Sequence, residues 1–310
     1  MSGDALSICQ AVKANGGKVI VQVDRLIRVP SRPRNTIIPG CLVDAVVVVD
    51  PESRHAAYES LTGNFEIPYS QWKDWHEMLE TLTATKQTTN VAGRIIGKRA
   101  ARELKPDDIV NIGIGIPEIV AHYARKTGIL DRVTLTVESG GVGGFPASGT
   151  VFGAMIGAAC MVDMANQFDL YDNGGLDICF MGALEVDRYG NVNAHRGPGA
   201  FSGIGGFANI TAKTKTVVFC LTFNTKGLEV LRQKEKVTIC NNGAIPKFVE
   251  EVRSISFSAK RALVNGQRVL YITERCVFEL TEKGLKLKEV YPGINVKKDI
   301  IDLLPFEIEV

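Results

Sequence analysis

No apolar stretch in this sequence approaches the roughly 18 uninterrupted residues that a membrane-spanning helix requires. The longest candidate, residues 42–49, contains Asp44 and reads as a buried strand. Charge of one sign is lacking as well. The 36 Lys and Arg stand against 34 Asp and Glu, a formal +2, too near neutral to suggest a nucleic-acid-binding surface. Histidine is scarce: His55, His76, His122 and His195 are all there is, and none sits in a recognisable triad context. The seven cysteines (Cys9, Cys41, Cys160, Cys179, Cys220, Cys240, Cys276) are odd in number and far apart, with no CxxC pair. That spacing argues against a disulfide framework or a thiolate metal site, and strings such as VVFCLTF point to reduced core thiols. The opening MSGDALSICQ has neither the basic start nor the apolar core of a signal peptide. A cytosolic chain without bound metal is expected.

What remains is an ordinary globular composition, 45% apolar and 23% charged, long enough at 310 residues for one large domain or two smaller ones. Glycine is in excess: 31 residues, against a usual share of roughly 7%. The excess is clustered.

Residues 5–14 have helical spacing, and NGG at 15–17 ends that helix in the usual way. KVIVQV (18–23) and CLVDAVVVVD (41–50) read as strands separated by a proline-broken loop. One helix and two strands cannot bury a core alone. Residues 51–88 are polar and dotted with aromatics. They read as a linker with one short helix near Trp72 and Trp75, which pack the linker onto a domain.

From residue 89 the pattern is βα. TNVAGRIIGKRAAREL is an amphipathic helix ending before Pro106, followed by strand DIVNI (108–112), the turn GIGIP (113–117) and helix EIVAHYARKTG (118–128). Further strands are expected over 133–139, 176–182, 216–223, 254–259, 268–273 and 276–280. The fold class expected is α/β, a mostly parallel sheet with helices on both faces.

Three segments carry chemistry. In GIGIP, Gly113 and Gly115 let the backbone approach a ligand at a helix start. Pro117 breaks the dinucleotide fingerprint GxGxxG, and no phosphate-cradling GK[ST] exists. Alone, the turn is as well explained by a tight βα connection. The second segment, TVESGGVGGFPASG (136–149), places Glu138 at the end of an apolar strand, facing glycines that include Gly140 and Gly143. Ligands bind at the carboxyl ends of such strands. A lone carboxylate there, with no partner acid for glycoside hydrolysis, can attack an activated acyl group while glycine N–H groups stabilise the oxyanion. The bland alternative is a turn cap. The third segment joins QFDLYDNGGLDICFMGALEVDRYGNVN (167–193) to GIGGFANI (203–210), two further runs of strand ends leading into glycine turns. Asp169, Asp172 and Asp177 lack the spacing of a calcium loop and read as turn caps. His195 reads equally as a satisfied loop histidine or a site residue.

VTLTVESGGVGGFPASG, QFDLYDNGGLDICFMGALEVDRYGNVN, GIGGFANI, VLYITERCVFEL and YPGINVKKDIIDLLPFEIEV together resemble family I CoA-transferases, most closely the acetate/propionate (short-chain acyl-CoA:carboxylate) type. The resemblance implies that Glu138 is a nucleophile converted to a glutamyl-CoA thioester in a ping-pong transfer. It implies Gly205 and Gly206 near the thioester carbonyl, and GIGIP as the family's G-x-G-x-P element. It adds Asn193 to the substrate contacts. Coenzyme A is then a substrate, alongside short-chain carboxylates, with no tightly bound cofactor. Family members have an α-type and a β-type half. Here residues 1–50 resemble the end of an α-type domain, 51–88 a linker and 89–310 a complete β-type domain. An α-type polypeptide, a homo-oligomer, or both are therefore expected as partners, and activity of this chain alone is an open point. Two other readings stay open on the sequence: an acyl-CoA hydrolase, and a non-catalytic pairing or regulatory module on the same fold.

Overall fold

The computed structural model describes residues 5–23, 26–27, 36–49, 90–147, 153, 155–197, 199–201 and 203–310. The linker expected over 51–88, with Trp72 and Trp75, lies outside the described residues.

The centre of the fold is a nine-stranded sheet. In spatial order its strands are Gly284–Val290, Cys276–Thr281, Arg268–Ile272, Thr216–Cys220, Ile178–Gly182, Ile109–Ile112, Thr134–Thr136, Gly141–Val142 and Cys160–Met161. The five from Arg268–Ile272 to Thr134–Thr136 run parallel. Antiparallel strands extend both sides. The central strands are nearly continuous apolar runs, as burial on both faces requires.

Strand residues alternate between two cores. Val218 and Cys220 face Ile96, Ala100, Val120 and Ala124, which come from helices Val91–Ala100 and Glu118–Lys126. Val217 and Phe219 face Tyr171, Phe207, Ile210 and Ala262, from helices Met164–Asp172, Phe207–Lys213 and Ala259–Val264. The expected α/β layering is therefore present, with helices on both faces. Asn90 starts the first of these helices by accepting from Ala92 N at 3.0 Å.

The chain enters the parallel core at Ile109–Ile112, adds Thr134–Thr136 on one side, then returns to add Ile178–Gly182 on the other. That reversal of strand order makes a crevice at the carboxyl ends, where open α/β sheets take up ligands.

The N-terminal elements form as the sequence indicates. Helix Ala5–Ala14 precedes strands Ile20–Val23 and Ala45–Val48, which pair in parallel with each other. Asp44 pins them by accepting from Val19 N at 2.8 Å and Lys13 Nζ at 2.9 Å. Val46, Val47 and Val48 are about half exposed.

Other elements differ from the sequence reading. Residues 254–259 are not a strand: Phe257 makes a single bridge to Val192, and Ser258 caps helix Ala259–Val264. Ser256 reaches across to another loop instead, its Oγ accepting from Ala194 N at 2.9 Å and bonding to His195 Nδ1 at 2.7 Å. QFDLYD, to which the sequence reading assigns no element, is helical, within Met164–Asp172, ahead of the expected strand at Ile178–Gly182. The hairpin Leu228–Gln233/Lys236–Asn242 was not foreseen, because its strands alternate charged and apolar residues over too short a span.

One ionic network ties helix Val91–Ala100 to the sheet. Arg99 Nε donates to Glu289 at 2.7 Å and Arg99 Nη1 to Glu103 at 2.7 Å, while Glu103 also accepts from Arg268 at 2.6 Å. Arg99 is 9% exposed, and its hydrogen bonds hold the Glu289 carboxyl below its usual range. That stabilisation is present above the ordinary carboxylate range and is lost as pH falls through the lowered value. Replacing Arg99 by Met leaves two carboxylates without it, an expected loss of about 3 kcal/mol in urea denaturation at neutral pH. Arg268→Met should cost less, since Arg268 is much more exposed. Equal losses would contradict this account.

Candidate active site

Glu138 stands on a hairpin turn at the carboxyl end of Thr134–Thr136. Val137 N donates to Gly141 O and Gly140 N to Val137 O, both at 3.0 Å, which closes a three-residue turn over Glu138, Ser139 and Gly140. Such turns end in a left-handed residue, and Gly140 has φ +100°. A side chain there would also run into the Val162 carbonyl. Gly143, at φ +76°, leaves only 3.0 Å between a notional Cβ and Ala159. Both glycines are required by the turn and its packing.

The Glu138 carboxylate meets Gly206, the residue before helix Phe207–Lys213. The Gly206 N–H hydrogen-bonds to it, and a Cβ on Gly206 would overlap Glu138 Oε2. Gly206 has φ −78°, so its backbone does not demand glycine; the carboxylate does. Phe168 closes the same spot, its Cζ 3.0 Å from that notional Cβ. Burial pushes the half-buried Glu138 carboxyl above its usual range, and the Gly206 N–H opposes that rise. A partly desolvated carboxylate with one oxygen fixed by a backbone donor is equipped for nucleophilic attack.

Under the turn lies a polar layer that sequence reasoning missed. Tyr171 Oη donates to Thr136 Oγ1 at 3.1 Å, Thr136 Oγ1 to Val110 O at 3.0 Å, and Asn111 Nδ2 to Tyr171 Oη at 3.3 Å. Burial, together with the Glu138 charge, pushes the Tyr171 hydroxyl up. Buried Gln167 belongs to the same layer. The available signal was Asn111, a polar residue inside the apolar run IVNI.

The remaining sequence candidates separate. Gly113 and Gly115 line the crevice beside the end of Ile178–Gly182, but their N–H groups are engaged, Gly113 to Phe180 O and Gly115 to Glu118 Oε1, each at 2.8 Å. The turn shapes the crevice and does not offer those two donors to an anion. Gly205 has φ +53° with open space around it, so it serves the backbone beside Gly206. Asn193 is the clearest departure. It is fully buried, donates to Glu185 and to Arg196 O at 2.8 Å, and accepts from His195 N and Arg196 N. With those atoms committed inside the loop, it holds the loop. His195 bonds to Ser256 at 2.7 Å, as a loop histidine does. Asp169 and Asp172 lie on a helix, and Asp177 accepts from Ile109 N and Lys215. Among the described residues no cluster of His, Cys, Asp or Glu could hold a metal ion, and no helix is long and apolar enough to cross a membrane. Cys9, Cys179, Cys220 and Cys276 are buried, while Cys41, Cys160 and Cys240 are exposed.

A family model described as Coenzyme A transferase matches residues 94–300. The chain is 38% identical over 304 residues to acetate CoA-transferase YdiF of Escherichia coli O157:H7, which covers 98% of this chain and 56% of that protein. It is also 38% identical to caffeate CoA-transferase of Acetobacterium woodii, over 98% of this chain and 57% of that one. A shorter relative, acetate CoA-transferase subunit beta of Haemophilus influenzae, is 28% identical over 66% of this chain and 86% of its own length. The solved structure of the E. coli O157:H7 acyl-CoA transferase YdiF in thioester complex with CoA superposes with a TM-score of 0.83 at 35% identity, covering 99% of this chain and 56% of that chain. The chain thus spans little more than half the length of the first two relatives. A family match running from the first core helix through the Glu138 turn and Gly206 makes this chain a member of the coenzyme A transferase family.

Proposed function

We propose that the chain is the β-type half of a CoA-transferase that exchanges CoA between a short-chain acyl-CoA and a free carboxylate, with Glu138 as nucleophile. The observation that carries this reading is that the Glu138 carboxylate accepts from the Gly206 N–H while its Oε2 stands where a side chain on Gly206 would begin.

The Glu138 carboxylate attacks the thioester carbonyl carbon of the acyl-CoA. The C–S bond breaks, and the CoA thiolate leaves behind a mixed anhydride. The thiolate then attacks the glutamyl carbonyl, which releases the first acid as a carboxylate and leaves a glutamyl-CoA thioester. The acceptor carboxylate attacks that thioester and displaces the thiolate. Attack of the thiolate on the new acyl carbonyl completes the transfer and restores Glu138. Negative charge that develops on the glutamyl oxygen falls where the Gly206 N–H already points. The relative captured as a thioester complex with CoA supports the chemistry. No other bound cofactor has a role in it.

Residues 1–50 read as the end of an α-type domain, 51–88 as a linker and 89–310 as the β-type domain, acting in the cytoplasm. An α-type polypeptide, within a larger oligomer, is the proposed partner. The half-exposed valines of Ala45–Val48 and the existence of relatives that are separate beta subunits support it.

Glu138→Gln should lower transfer from acetyl-CoA by at least about 10³, roughly 4 kcal/mol of barrier. Because the Glu138 carboxyl is raised, its ionisation weakens the fold as pH rises through that raised value. The Gln variant should therefore melt no lower than wild type at pH 7, with any advantage gone in acid; calorimetry at both pH values checks this. Gly206→Ala should fold, because its Cβ meets only the movable ends of Glu138 and Phe168, yet lose about 10² or more in rate. Gly140→Ala should instead cost stability, about 1–3 kcal/mol, from strain and the Val162 clash. Full activity of Gly206→Ala would remove the assigned role.

A further inference from the structure

CoA transfer and acyl-CoA hydrolysis part only at the step that consumes the Glu138 thioester. There a carboxylate or a water molecule attacks the same carbonyl carbon, and water is in vast excess. A transferase that waits for its acceptor has to keep water off that carbonyl. The requirement rests on the reading of Glu138 as nucleophile.

Phe168 is placed to meet it. The point where a Gly206 Cβ would stand lies 2.7 Å from Glu138 Cδ and 3.0 Å from Phe168 Cζ, so the ring tip and the carboxyl carbon flank one spot. The Gly206 N–H meets the carboxylate on that same flank. Glu138 as a whole is only half-buried, so an open side remains for the thiolate and the acceptor. A phenyl ring offers a carboxylate no hydrogen bond, and apolar company opposes ionisation, as the raised Glu138 carboxyl shows. What the ring does supply is exclusion of water.

The ring is also held in place. It stands edge-on to Tyr171, centroids 5.8 Å apart, and packs against the apolar cluster of the second face. Tyr171 is tied at 3.1 Å to Thr136, two residues before Glu138. Helix Met164–Asp172, which carries the ring, joins helix Phe207–Lys213 where Asn209 Nδ2 donates to Asp172 Oδ1 at 3.0 Å. Just ahead of it, Val162 N donates to Gly140 O of the Glu138 turn, also at 3.0 Å. Ring, turn and Gly206 are thus fixed to one another.

We infer that Phe168 sets the partition between transfer and hydrolysis: its ring screens the Glu138 acyl carbonyl from water on the Gly206 side, so that the thioester survives until a carboxylate arrives. Without the ring, water adds to the glutamyl carbonyl carbon and the C–S bond breaks. CoA leaves as the thiol with one of water's protons, the other proton passes to solvent, and the Glu138 carboxylate is restored. The protein then acts as an acyl-CoA hydrolase.

The test charges the full chain, together with the polypeptide that completes it, with acetyl-CoA and then removes acetate and unbound CoA compounds. Free CoA formed in buffer alone measures hydrolysis, and propionyl-CoA formed on adding propionate measures transfer. The ratio of the two rates does not depend on how much of the protein is folded. Phe168→Ala should raise that ratio at least about tenfold. Phe168→Val, which keeps an apolar side chain but no ring, should raise it at least about threefold, and stays readable if the alanine variant does not fold. Phe168→Met, whose flexible apolar chain refills the space, should stay within about twofold of wild type. An unchanged ratio in the small-residue variants overturns the proposal and leaves Glu138 in its role. Acetyl-CoA hydrolysis that persists in the double variant Phe168→Ala, Glu138→Gln shows water attacking acetyl-CoA directly, and overturns both readings together.

Discussion

A carboxylate pressed against a backbone N–H, with no room for a side chain between them, is the constraint on which the rest of this site depends. Glu138 leaves bulk water in this cleft, and burial alone pushes its carboxyl above the ordinary range. The Gly206 N–H supports the charged form from one side. That contact requires the Glu138 hairpin and the start of helix Phe207–Lys213 to meet at one point. The strand order supplies the meeting. Thr134–Thr136 lies outside Ile109–Ile112, and the helices that pack on the second face bring Phe168 and Gly206 over its end.

Several glycines that look equivalent along the chain then have unlike causes. Gly140 and Gly143 are dictated by left-handed backbone and close neighbours, Gly205 by backbone alone, and Gly206 by the carboxylate it touches. Gly113 and Gly115 give up their N–H groups to Phe180 and Glu118, and so fix the shape of the crevice wall. Rigidity at the turn and access at the carboxylate are separate requirements met by separate residues.

This distinction marks what was legible in the sequence. The central strands could be read from runs such as TVVFC and RVLYI, because burial on both faces demands uninterrupted apolar residues. Glu138 could be singled out from its place between an apolar strand and a glycine cluster. The helix around Phe168 and Tyr171 was hidden by its short length and by the turn-like DNGG that follows it. The polar layer was hidden for another reason: Asn111, Thr136, Gln167 and Tyr171 come from three elements separated by up to 60 residues, and only the fold places them together. The surroundings of Asn193 were hidden on similar grounds. Its motif suggests a ligand contact, but its hydrogen bonds close on Glu185, His195 and Arg196.

The central claim is a covalent one, that CoA becomes attached to the chain through the Glu138 side chain. The most direct measurement is peptide mass analysis of the completed protein after brief exposure to acetyl-CoA and acid quenching. The account predicts that the peptide carrying Glu138 gains a CoA moiety with loss of water, and that adding free acetate removes it. Transfer that proceeds with Glu138 unmodified at every time point, or with CoA attached to another residue, would contradict it.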